Sequence, residues 1–249
     1  MKVLKKVLLA TFMIACSSFV FAEEETSVEN EYLNDIDGEI ISTLAESDDY
    51  ENKLVALEYL RNALSDGNNS DAVIAGLDRL AGEGINNQTR EKGRLTNNFP
   101  DIRREACLLM GNVKTEHSKN MLVQIAVADA EPMVIAAAVK SLGDIGINNN
   151  DEVVEAISFA NRRNQILNPT SSLAMEVLEA LEKLSSSTEN KKIIIDTCSR
   201  ISTDYHYVTQ VRQRAYKLLK TMSSNSNSED NKKSKNSKNE DKVETVDGQ

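Results

Sequence analysis

Phe99-Pro100-Asp101-Ile102-Arg103-Arg104-Glu105-Ala106, running on to Met110-Gly111-Asn112-Val113, is the stretch from which the rest of the chain is read. Ile102, Ala106, Met110 and Val113 stand at offsets 0, 4, 8 and 11, which is one face of an α-helix. The same offsets return in Val134, Ala138, Leu142 and Ile145, then in Leu173, Val177, Leu181 and Leu184, then in Val211, Ala215, Leu219 and Met222. Successive first members lie 32, 39 and 38 residues apart, room for one helical hairpin each. The pattern predicts an all-α fold in which hairpins stack in order, an α-solenoid.

The three prolines agree with this register. Pro100, Pro132 and Pro169 each stand at the start of a repeated helix, where a missing N–H removes no intrahelical bond. Small residues recur too. Ala106 and Ala138 at offset 4 would let neighbouring helices come close, and Gly111 and Gly143 at offset 9 would either do the same or loosen the helix end. Between the repeats lie second helices. His117 to Val127 carries Met121, Leu122, Ile125 and Ala126, and Asp151 to Ala160 carries Val153, Val154 and Ile157, with Asp151 as N-cap. Asn190 to Ile201 carries Ile193, Ile194, Ile195 and Cys198. Upstream, Asn52 to Leu64 and Ser70 to Ala81 form a further pair around the turn Asp66-Gly67-Asn68-Asn69. Leu33, Ile36, Ile40, Ile41 and Leu44 make an amphipathic stripe suited to capping the open end of a stack.

Pro-x-Ile/Val, an alanine four residues later and Met/Leu-Gly-x-Val/Ile resemble HEAT repeats of the short, phycobilisome-lyase type. The likeness is specific for Pro100 to Gly146 and weaker for Pro169 to Met222. Arg103 and Arg212 stand where that family carries an arginine, whereas Ile135 and Ala174 do not. The resemblance implies an armadillo-like, right-handed superhelix of antiparallel helix pairs. It does not imply a lyase, because this fold hosts many functions.

The ends divide the chain further, into 1–22, 23–51, 52–222 and 223–249. Lys2, Lys5 and Lys6 precede an apolar run, and Phe19-Val20-Phe21-Ala22 precedes Glu23-Glu24-Glu25, as in a bacterial secretory signal peptide cut between Ala22 and Glu23. The alternative is Met13-Ile14-Ala15-Cys16, a loose lipoprotein box that would leave a lipid on Cys16. The last segment, almost without apolar residues, reads as a disordered polar tail.

Cleavage at Ala22 removes three lysines and leaves 26 basic residues against 39 acidic ones, a net charge of −13. Twelve of the acids fall in 23–51, which has no lysine or arginine. That segment is either a solvated, self-repelling arm or a docking strip for a basic partner. The remainder carries no basic excess, which argues against a nucleic-acid partner. Cys107 and Cys198 belong to different hairpins, too far apart for a bridge in a sequential stack, so both are expected as buried free thiols.

No HExxH, GxSxG or phosphate-loop motif occurs, and no Cys/His cluster suggests a metal, so neither catalysis nor a cofactor is expected. Two stretches interrupt the repeats. Gly82 to Phe99 is a long polar insert with Arg90, Lys92 and Arg94, either a binding loop or an extended connector packed on the next helix. Tyr205, His206 and Tyr207 are the second candidate, because tyrosine is enriched at binding hot spots. A tyrosine there could instead cover the end of the core. Arg162-Arg163 would suit the C-terminal dipole of their own helix, and Asn148-Asn149-Asn150 a turn. The expected function is a non-catalytic scaffold or adaptor, exported to the periplasm or beyond, that holds another envelope protein. Its rivals are a lipid-anchored structural protein, with membrane contact through Cys16 alone, and an accessory protein that binds a small ligand.

Overall fold

A computed structural model describes residues 28–86 and 88–223, so the expected signal segment, its two processing points at Cys16 and at Ala22 and Glu23, and nearly all of the polar tail lie outside the described residues. Among those described, helices dominate: α1 (Val28–Glu46), α2 (Tyr50–Ser65), α3 (Asp71–Ala81), α4 (Pro100–Met110), α5 (Glu116–Ala128), α6 (Pro132–Ile145), α7 (Glu152–Leu167), α8 (Ser171–Leu184) and α9 (Lys191–Thr203). A last helix, α10, covers 209–223. Strands β1 (Arg90–Glu91) and β2 (Arg94–Leu95) pair antiparallel between α3 and α4. The fold is all-α, with helix–helix packing throughout.

The residues up to Asp37 and those from Gly38 on form two compact units. In the first, 28–37 are helical, with Asp35 and Ile36 exposed.

Local chemistry sets the helix ends. Pro100 and Pro132 occupy the first turns of α4 and α6, and Pro169 stands one residue outside α8, before its N-cap Thr170. Asp49 accepts the N–H of Glu51 at the start of α2, and Thr115 accepts that of Ser118 at the start of α5. Gly146, at φ 75°, ends α6 in the left-handed conformation that glycine adopts without penalty.

Helices pack on neighbours in chain order. In one row α2 meets α4, α4 meets α6 and α6 meets α8; in the other α5 meets α7 and α7 meets α9. The hairpin partners α2–α3, α4–α5, α6–α7 and α8–α9 join the rows. Of the sixteen repeated apolar positions only Leu219 is not buried, and it packs half-buried against the core. The offset-9 glycines serve close approach. A Cβ on Gly111 would lie 2.7 Å from Ser141 Oγ of α6, and one on Gly143 would lie 2.8 Å from Ala180 Cα of α8. The next hairpin has Glu182 at that offset, where it pairs with Arg214 of α10. Upstream, Ile41 and Ala45 of α1 are buried, and a Cβ on Gly76 of α3 would lie 2.5 Å from Ile41.

Polar contacts between hairpins recur near the repeat distance. Ser141 Oγ donates to the Cys107 carbonyl, Lys119 bridges Glu116 and Glu152, Ser158 and Thr197 share a hydrogen bond of 2.8 Å, and Lys183 pairs with Asp144. Two expectations are corrected here. Asp151 does not cap its own helix: it is left-handed at φ 62°, and its carboxylate accepts from the backbone N–H groups of Glu189 and Asn190, before α9. Arg162 and Arg163 do not follow a helix end but lie inside α7, and Arg163 donates to the carbonyls of Val127 and Asp129 at the C-terminus of α5. Both act on the neighbouring hairpin, a relation that spacing within one helix cannot reveal. Cys107 and Cys198 are free and buried, and burial pushes the Cys198 thiol up to about 12.

Candidate functional site: a cationic hairpin on a buried ionic root

The polar insert packs on the next helix through Arg103 and also carries a small hairpin. Its tip is a hairpin with Arg90 opposite Leu95 and Glu91 opposite Arg94. Lys92 (φ 48°) and Gly93 (φ 82°) form the two-residue turn, both with positive φ as a type I′ hairpin requires. Lysine is an uncommon residue for that conformation, so some strain is stored at the tip. Arg90, Lys92 and Arg94 are all exposed. Paired residues share a face, so Arg94 lies beside Glu91, Arg90 lies on the other face, and Lys92 occupies the turn. The charge surrounds the tip instead of lining one side.

The root of the hairpin is a chain of buried charge. Lys53 of α2 is 0% exposed, and its Nζ donates to the Ala45 carbonyl at 3.0 Å and to Glu83 Oε2 at 3.0 Å. The other Glu83 oxygen accepts from Asn97 Nδ2 at 2.6 Å, and Asn97 Oδ1 accepts the N–H of Thr89 at 2.9 Å. Arg103 of α4 continues the chain. Its Nε meets Asp129 Oδ2 at 2.8 Å, while Nη1 donates to Asn98 Oδ1 at 2.8 Å and to the Glu83 carbonyl at 3.3 Å. Asp129 also accepts the N–H of Glu131. Both ends of the insert are thus held to α2, α4 and the α5–α6 link. Gly84 (φ 72°) makes this possible, since a Cβ there would lie 2.7 Å from the Asn97 carbonyl.

The second candidate stretch separates into two environments. Tyr205 is 80% exposed and stacks on His206, ring centroids 4.0 Å apart. His206 Nδ1 lies 2.7 Å from Asp204 Oδ1, and Gln165 Nε2 donates to the other Asp204 oxygen at 2.6 Å. Burial by itself would raise the Asp204 carboxyl, but the hydrogen bonds from Gln165 and His206 outweigh it and hold the group below its ordinary range. Tyr207, by contrast, is a core residue at 2% exposure, its phenol pushed up to about 12 by burial and by Asp204. It fills the end of the core and offers no exposed surface.

Sequence reasoning placed Asn97 in the candidate insert and missed the roles of Lys53, Glu83 and Asp129. Lys53 stood in view, three residues before Ala56 on the apolar stripe of α2, the place where a charge has to be paired. Among the described residues no group of His, Cys, Asp and Glu could hold a metal ion, and no helix is long and apolar enough to cross a membrane. Comparison of the chain with protein-family models, with curated proteins and with solved structures finds no match.

Proposed function

We propose that this chain is a HEAT-like α-solenoid exported to the cell envelope, where it serves without catalysis as an adaptor for another protein. The order of helix packing and the recurrence of inter-hairpin contacts support the solenoid reading. The observation that carries the adaptor reading is the Arg90–Lys92–Arg94 hairpin: three exposed cations on a preorganised tip, in a chain of net charge −10. Such a rooted, charged projection presents a docking element at little ordering cost, and its partner surface would be acidic.

The test is capture of a partner from envelope extracts by the full chain and by a variant with Arg90→Glu, Lys92→Glu and Arg94→Glu. These positions are exposed, so the variant should keep its thermal midpoint and lose the partner. Retention of every captured protein by a folded variant would remove the hairpin from the interface. N-terminal sequencing of the exported chain tests the localisation: a start at Glu23 supports a free protein, and a lipidated Cys16 supports the anchored alternative.

A further inference from the structure

A groove of about 450 Å³ runs between the end of α9 and the start of α10, walled by Ser202, Thr203, Thr209, Arg212, Tyr216 and Lys217, with Gln213 beside them. We propose that it binds a small organic anion. The oxyanion head is held by Arg212 and Lys217, and a hydroxyl-bearing body lies across Tyr216 toward the hydroxyls of α9, as in a sugar phosphate.

This lining contains two cations and no carboxylate, and no ion pair among the described residues involves Arg212 or Lys217. Two other grooves carry cations as well but always with carboxylates: Arg162 and Arg200 with Glu155 and Asp196 between α7 and α9, and Arg104 and Lys140 with Glu176 across α4, α6 and α8. In a chain so rich in acids, a wall with two cations and no carboxylate, neither cation in an ion pair with a described residue, marks a place for an incoming negative group.

Arg212 supplies the second, independent observation. Its Nε is buried and has no hydrogen-bond partner, while Nη2 donates to Thr209 Oγ1 at 3.3 Å. The Thr209 contact fixes the plane of the guanidinium, whose outer N–H groups line the groove and can donate to an oxyanion there. Arg103 stands at the same position of its helix and is neutralised by Asp129, which follows the next helix, whereas no described carboxylate pairs with Arg212.

The α9 side has complementary chemistry. The hydroxyls of Ser202 and Thr203 donate to carbonyls of their own helix, at Ser199 and Arg200, which leaves their lone pairs as acceptors. Acceptors suit hydroxyl groups of a ligand body and disfavour a second anion. Tyr216, 63% exposed, provides a ring face of the kind sugars cover. The volume lies within the range of small-molecule sites.

The test is a titration of the isotope-labelled full chain, followed by amide NMR shifts, with inorganic phosphate, glucose 6-phosphate and neutral glucose as probes. Glucose 6-phosphate should give saturable shifts centred on 202–217, phosphate weaker ones at the same amides, and glucose none. Arg212→Gln and Lys217→Gln should each weaken binding at least tenfold. Gln213→Glu puts a carboxylate on an exposed wall position, so it should abolish binding with the thermal midpoint unchanged, and it keeps the test decisive if Arg212→Gln fails to fold. Absence of saturable shifts with both anions, or binding that survives Lys217→Gln and Gln213→Glu, would overturn the proposal.

Discussion

The segment from Ala45 to Asp129 and the segment from Pro132 to Leu184 are both packed helices around an apolar core, yet only the first adds a buried ionic chain to it. In the second, Gly143 sits against Ala180, and the buried part of the α6–α8 contact is made of small and apolar side chains, with the half-exposed Lys183–Asp144 pair at its edge. In the first, an apolar core is supplemented by buried Lys53, Glu83, Arg103 and Asp129, which tie the insert to three elements. Apolar packing tolerates graded change, whereas a buried charge network fails when one member is removed and its partner is stranded. The first segment should therefore be the more brittle.

The sharpest way to break that contrast is Lys53→Met, which strands Glu83 in the core. It should cost about 3–5 kcal/mol in urea unfolding. Adding Glu83→Leu should recover part of the loss, and a cycle without coupling would contradict the network. Next in size comes Gly143→Ala, whose new methyl meets the backbone of α8. Overpacking predicts a loss of about 1–3 kcal/mol, and an unshifted thermal midpoint would show that the two helices lie farther apart. Asp151→Ala removes the acceptor for the N–H groups of Glu189 and Asn190, and a cap of this kind is worth about 0.5–2 kcal/mol. Hydrogen exchange should then quicken at the start of α9 and not at the start of α7. The smallest effect belongs to Lys183→Ala, which deletes a half-exposed pair with Asp144 and should cost less than about 1 kcal/mol.

What could be read from the sequence follows the range of each interaction. The 4–8–11 stripes act within one helix, so their spacing marks the core directly, and fifteen of the sixteen positions are buried. The ionic root was hidden because Lys53 and Glu83 lie 30 residues apart and Arg103 and Asp129 lie 26 apart, with neither distance a helical or strand period. The Lys92-Gly93 turn was hidden because its two-residue strands carry no alternating apolar pattern. For Tyr207 a signal did exist. It stands four residues before Val211 and so extends that stripe into the core, while Tyr205 falls off it.

The claim beneath all of this is that each hairpin lies on the next, so that Ser158 of α7 faces Thr197 of α9. Replacing both by cysteine and oxidising the folded protein tests it most directly. The account predicts a new disulfide between 158 and 197 in high yield, with Cys107 and Cys198 still buried and unmodified. Two thiols that remain free and react independently with an alkylating reagent would contradict it.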